Sequence, residues 1–239
     1  MNRIEILSVL IGKAETISGG LSAAMHKQRM DQRIWLWPQG LGQDSLGDER
    51  FHGGPERALH HYPAEHYVHW RQSYPQTQWV LPGFGENLST IGVREEQVCI
   101  GDIFRWGDTV LQISQPRSAC YRLNLDGQFP ELAQQVQDNG RCGWFYRVLK
   151  PGYVSPRERL ELVQRPFPAL TVARAHMLFY HRPLDRSGLV QLQRCEGLSM
   201  QWREIAARRL LTGEVEDWNA RLQGLPLEGV IDAEVRRYA

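Results

Sequence analysis

Residues 97–123 read QVCIGDIFRWGDTVLQISQPRSACYRL. Apolar side chains gather on both sides of Gly107-Asp108, a dipeptide suited to a hairpin turn. Gln97–Trp106 and Thr109–Ser114 are therefore expected to be paired strands. Pro116 lacks an N–H and is expected to end the pairing. Arg117, Ser118 and Cys120 then project from the strand's exit, a usual place for ligand contacts on a rigid scaffold. Two readings of Cys120 stand open: a small buried hydrophobe, or a thiol that Arg117 and Arg122 bias towards thiolate.

Strand signals continue on either side. Arg3–Ile11 is rich in apolar and β-branched residues, Gln32–Trp37 alternates as a half-buried strand should, and Trp144–Leu149 and Leu160–Gln164 follow. Glycine and proline punctuate these runs. Only two helices are expected among them. One begins near Pro63 and runs through AEHYVHWRQ; the other, Glu131–Asp138, is opened by Pro130 and closed by Gly140. The texture changes after Arg165–Leu170 (RPFPAL), which reads as a linker dividing residues 1–168 from 169–239. Thr171, Asp185 and Ser199 each look like an N-cap, with stops at Pro183, Gly197 and Gly213. The expected architecture is mainly β with a small C-terminal set of three helices.

Composition narrows the function. The chain has 239 residues, 42% of them hydrophobic and 23% charged, with a formal net charge of +1. That balance argues against bulk electrostatic binding to nucleic acid or an anionic membrane. No run reaches the ~18 apolar residues of a membrane helix, and the opening MNRIEILSVLIG lacks a signal-peptide pattern. The four cysteines form no CxxC pair, so the expected setting is a reducing cytoplasm.

Two further segments carry candidate chemistry. In FHGGPERALHHYP, residues 51–63, Gly53-Gly54 and Arg57 would make an anion pocket, or simply a tight turn entering a helix. His60, His61, His66 and His69 raise a zinc or copper site, although no HExxH pattern is present. In LPGFGENLST, residues 81–90, Glu86-Asn87 would hold the amide-like edge of a heterocycle, or Asn87 would bond only the backbone of its turn.

Taken in order, HGGPERALHHYP, PGFGENLST, GDIFRWG and QPRSACYRL resemble the MOSC domain, named for the C-terminus of molybdenum cofactor sulfurase. The resemblance is to the YiiM-like bacterial subgroup, which carries three short helices after the domain, and it spans roughly residues 30–215. It implies a closed, twisted β-barrel of the pyruvate-kinase-barrel type and a molybdopterin-type molybdenum cofactor. Cys120 would be the molybdenum ligand and the catalytic residue, with Arg117 as its charge partner. The cofactor's cradle would comprise His52, Gly53, Gly54, Arg57, Glu86, Asn87, Arg117 and Ser118.

Relatives of this subgroup look like reductases of N-hydroxylated compounds such as hydroxylaminopurines and amidoximes. That implies a small-molecule substrate, His52 or His61 as proton donor, and electrons from a separate redox protein. The alternatives are a cofactor carrier or persulfide-handling module, and a cysteine–histidine hydrolase. A pyridoxal phosphate Schiff base is not expected, because Lys13, Lys27 and Lys150 all lie outside the motifs. The helices could pack on the barrel, form a homodimer contact or dock the electron donor.

Overall fold

The hairpin forms around Gly107-Asp108, with Trp106 opposite Thr109. Its strands are β10 (Ile103–Trp106) and β11 (Thr109–Pro116). The structure, a computed structural model, describes residues 3–17, 21–23, 27–45, 53–77, 79–126 and 129–224. Two boundaries differ from the sequence reading. Residues 97–102 are turns rather than the start of β10: the buried Asp102 carboxylate accepts the Cys99 N–H at 2.9 Å and curls the chain. At the other end β11 runs on to Pro116, opposite Trp144. The missing N–H is tolerated at that last pair, and Arg117 N–H still donates to Gly143 O at 3.1 Å.

Nine strands form the main sheet. They include β1 (Arg3–Ile4), β2 (Ile6–Ile11), β5 (Gln28–Arg29), β8 (Leu59–Pro63), β9 (Leu88–Thr90), β12 (Trp144–Lys150) and β14 (Leu160–Gln164). The order is β1-β14-β10-β11-β12-β8-β9-β2-β5. Pairing is antiparallel except for β8 with β9, which is parallel. β1 and β2 are separated only by Glu5, yet they lie at opposite ends of this order, on β14 and on β9. A hairpin of β3 (Glu15–Ile17) and β4 (Leu21–Ala23) stands apart. So does a three-stranded sheet of β13 (Gly152–Val154), β6 (Ile34–Trp37) and β7 (Gly40–Leu41).

β8 corrects the reading of LHHYP. Pro63 ends a strand instead of opening a helix, and α1 begins at His66 (His66–Ser73). All five residues of β8 are buried between β12 and β9. Their histidines fit there because neighbouring strands supply hydrogen-bond partners, a tertiary condition that overrides the polar look of the segment.

The remaining helices are α2 (Arg122–Asp126), α3 (Leu132–Asn139), α4 (Val172–His176), α5 (Arg186–Arg194), α6 (Met200–Thr212) and α7 (Asn219–Gln223). A π turn, Met177–His181, continues α4. Thr171 and Asp185 cap as expected, accepting the N–H groups of Arg174 and Ser187 at 3.0 and 3.1 Å. Ser199 sits at the cap position of α6, but its hydroxyl makes no capping bond; its N–H donates to Ser114 O at 2.9 Å and ties the helix to β11. No helix among the described residues is long and apolar enough to cross a membrane.

Sheet and helices share one buried cluster, in which Phe104, Trp106 and Tyr146 pack with Leu178, Phe179 and Trp202. Each such side chain contributes about 1.5–3 kcal/mol on burial. Within the linker, Arg165 forks onto both oxygens of Asp102, at 2.9 and 2.7 Å. A second cluster centred on Tyr62, Trp70, Trp79, Phe84 and Val136 fills the space around α1 and α3.

Candidate functional site

Cys120 lies on the loop Arg117–Tyr121 that leaves β11, and its thiol is half-buried. Cys99, Cys142 and Cys195 are buried, and burial raises each of their thiol pKa values. Those three stay protonated and inert. Arg57, on a turn distant in sequence, lies within the electrostatic field of Cys120. A 3₁₀ turn, Pro55–Arg57, follows Gly54, whose φ of 98° suits only glycine. A Cβ at Gly54 would meet no atom of the described residues within 4 Å. Burial lowers the Arg57 pKa, while the fields of Tyr180, Cys120 and Glu56 act in the opposite direction. Guanidinium remains cationic under such offsets. Arg57 Nη2 also donates to Gln201 Oε1 at the start of α6.

Arg117 is 9% exposed. Burial, and after it the Arg117 charge, push the His60 imidazole well below its usual pKa, and the same charge opposes the rise that burial causes at Cys142 and Tyr62. Arg117 Nη1 has no hydrogen-bond partner among the described residues. The same holds for both amide atoms of Gln115, which is 1% exposed and lies on the same strand end. Buried polar atoms normally have partners, so the end of β11 carries unsatisfied recognition capacity. Gln115 did not stand out in the sequence, where it read only as the last polar residue of a strand.

Glu86 and Asn87 are drawn inside. Glu86 is fully buried, accepting Tyr67 O–H at 2.6 Å and Phe84 N–H at 3.0 Å, and burial raises its pKa. Asn87 Oδ1 accepts His60 N–H at 3.1 Å, while Nδ2 donates to Asp44 Oδ2 at 2.7 Å and to Leu10 O at 3.2 Å. Asp44 in turn accepts Lys27 Nζ at 2.6 Å. The pair thus pins β8, β2 and the segment around Asp44 to one another.

The histidines are corrected by their surroundings. His61 Nε2 lies 2.8 Å from Thr90 Oγ1 and Nδ1 3.1 Å from Tyr146 O–H. Burial lowers its pKa to about 3, so it does not exchange protons near neutrality. With both ring nitrogens engaged and the ring held neutral, His61 does not fit the proton-donor reading. His66 is held by Glu95 at 2.8 Å. Among the described residues no group of three His, Cys, Asp or Glu side chains converges on a metal position, which answers the zinc or copper reading. His52 lies outside the described residues.

The C-terminal region supplies partners that local sequence gave no sign of. Tyr180 O–H donates to Ser118 Oγ at 2.8 Å, and Arg221 Nη1 donates to Ala119 O. Tyr121 N–H donates to Arg221 O at 2.8 Å. The loop that carries Ser118 and Cys120 is therefore bonded to Tyr180 and Arg221, and Arg57 of the turn after Gly53-Gly54 to Gln201, while Glu86 and Asn87 lie buried.

Comparison with known proteins gives the chain its family. The MOSC domain model matches residues 48–161, and the model described as "YiiM-like, 3-alpha helix domain" matches residues 170–213. The chain belongs to the MOSC domain family, in its YiiM-like group. It is 41% identical over 220 residues to Protein YiiM of Escherichia coli (strain K12), covering 91% of this chain and 98% of that protein. The crystal structure of YiiM from Escherichia coli superposes with a TM-score of 0.81 at 39% identity, covering 93% of this chain and 99% of that one. A Gibberella moniliformis (strain M3125 / FGSC 7600) protein named "Reductase" is 34% identical over 215 residues, 86% of this chain but 37% of that protein.

Proposed function

We propose that this chain binds a molybdopterin-type molybdenum cofactor and reduces N-hydroxylated small molecules. MOSC domains are associated with that cofactor, and the fungal relative's name supports a reductase. The single observation that carries the reading is the half-buried Cys120, within the field of Arg57, on the loop that follows Gln115 and Arg117, whose buried side-chain atoms lack partners among the described residues. These residues fit the group: a soft sulfur donor for the metal, cationic forks for an anionic phosphate, and a carboxamide for an amide-like heterocycle edge.

When bound, the cofactor supplies a two-electron couple. The net reaction is R–NHOH + 2 e⁻ + 2 H⁺ → R–NH₂ + H₂O, breaking the N–O bond, with the electrons delivered by a separate redox protein. Cys120 would hold the metal, Arg57 would neutralise negative charge, and the backbone at Gly54 would let the ligand approach closely. Arg117 and Gln115 would orient its polar edge, with Asn87 tying together the strands nearby. His52 remains a candidate for proton delivery.

The sheet is inferred to close into a barrel, because β1 and β2 form one chain segment pairing with β14 on one side and β9 on the other. The β domain is assigned to residues 1–168 and the helical one to 169–239, with a cytoplasmic location and no nucleic-acid partner.

The test is molybdenum analysis with pterin fluorescence on protein from a cofactor-producing host, with activity on a hydroxylaminopurine and an amidoxime. Wild-type protein is expected to carry the metal and reduce both substrates. Cys120→Ser should lose metal and activity together. Full activity in Cys120→Ser overturns the assignment. The accessible thiol also supports a carrier or persulfide role; a gain of one sulfur atom on Cys120 without turnover would establish that role instead.

A further inference from the structure

We propose that the helical region is a working part of the site, with Tyr180 and Arg221 as positioning residues that hold the Cys120 loop in place. The inference rests on the reading of Cys120 given above. Three residues around the thiol are tied to the C-terminal region. Ser118 Oγ accepts Tyr180 O–H at 2.8 Å, Ala119 O accepts Arg221 Nη1, and Tyr121 N–H donates to Arg221 O at 2.8 Å. Asn124 Nδ2 extends the seam onto Leu222 O at 2.9 Å. On the sheet side, Arg117 N–H donates to Gly143 O at 3.1 Å.

The two clamps are joined to each other. The Arg221 guanidinium lies 5.3 Å from the Tyr180 ring centroid, a cation–π contact, and its Nη2 donates to Gln137 Oε1 on α3. Tyr180 is gripped in turn by Trp218 and His176, at 5.4 and 4.9 Å between ring centroids. Its placement depends on the π turn Met177–His181. A π turn inserts one residue into a helical turn, a feature frequent at functional sites. Arg57 bonds Gln201 of α6. The Cys120 loop and the Arg57 turn are therefore anchored to different elements beyond the linker.

A positioning residue raises turnover without contributing the substrate's affinity, because it holds a reacting group in geometry. Two readouts separate this from simple folding support, for Tyr180→Phe and Arg221→Ala. The first, hydrogen exchange of the peptide covering residues 117–123, needs no cofactor. Exchange should rise about fivefold in Tyr180→Phe, the factor one neutral hydrogen bond carries. It should rise about tenfold or more in Arg221→Ala, where the lost bond is charge-assisted. Peptides within β11 should keep wild-type exchange.

The second readout is turnover per bound molybdenum, which should fall in both variants with KM unchanged. Should Arg221→Ala fail to fold, Tyr180→Phe decides alone, since it removes only a hydroxyl. Wild-type exchange rates at 117–123 in the variants overturn the clamp. A loosened loop with unchanged turnover per molybdenum overturns the positioning role. If wild-type protein carries no molybdenum, the cofactor reading fails, and the exchange arm still decides whether the helices hold the thiol loop.

Discussion

Gly143 packs so tightly on His61 that a Cβ placed on it would stand 2.2 Å from the His61 carbonyl oxygen. Its φ of +69° is a left-handed conformation in which any side chain is strained. The same residue donates its N–H to Glu95 Oε1 at 2.7 Å and accepts Arg117 N–H on its carbonyl at 3.1 Å. One glycine thus links β8, a buried carboxylate and the start of the Cys120 loop.

Gly143→Ala is accordingly expected to destabilise the fold by about 3 kcal/mol, combining a left-handed backbone penalty with overpacking against a rigid carbonyl. Urea unfolding measures it, and a loss below about 1 kcal/mol would show that the contact relaxes cheaply.

Thiol labelling should discriminate sharply. Cys120 is half-buried, while burial both shields Cys99, Cys142 and Cys195 and raises their pKa. Native cofactor-free protein at neutral pH should take up one iodoacetamide, at Cys120, and four after denaturation. Peptide mass spectrometry reads the site; labelling of Cys142 in the native state would contradict the packing.

Acid should unfold this protein early. Burial holds His61 and His176 neutral, with pKa values of about 3, His181 and Arg221 adding to the effect at His176. The unfolded chain takes up protons from pH ~6.5 downward that the folded chain refuses. Their contribution is therefore complete above pH ~6.5 and declines as the pH falls towards 3. Between pH 6.5 and 5 each histidine is expected to cost about 2 kcal/mol. Burial also lowers the His60 pKa, adding to the same slope, and raises that of Glu86, opposing it. Denaturant titrations at pH 5 and 7 test the sign: equal stability would mean these imidazoles are not buried neutral.

The linker should prove structural. Asp102 is fully buried and accepts both Arg165 and the Cys99 N–H. Arg165→Ala would leave a buried carboxylate with only that backbone donor, costing about 2–3 kcal/mol, less than a wholly buried pair because Arg165 reaches water. Arg165→Met should be no better, since the loss is of charge rather than of packing. A thermal melt within experimental error of wild type would show that water replaces the arginine.

Local patterns disclosed most of the elements. The Gly107-Asp108 hairpin, the strand pattern of residues 3–11, the caps at Thr171 and Asp185 and the left-handed stop at Gly213 all depend on near neighbours, and each appears where the residues put it. β8 escaped because LHHYP is polar by composition; Thr90 and Tyr146 make its histidines acceptable, and both are distant in the chain. Short-range periodicity cannot report a partner supplied by another strand.

At the site the division is similar. The sequence by itself determined the thiol loop after β11, the Gly54–Arg57 turn and the family they indicate, since each is a contiguous motif with its own backbone demand. Tertiary structure alone decided that Glu86 and Asn87 turn inward, that His61 is held neutral, and that Tyr180 and Arg221 close over Ser118 and Ala119. The physical reason is that burial and hydrogen-bond pairing belong to the packed chain: no residue carries its desolvation or its distant partner in its own identity.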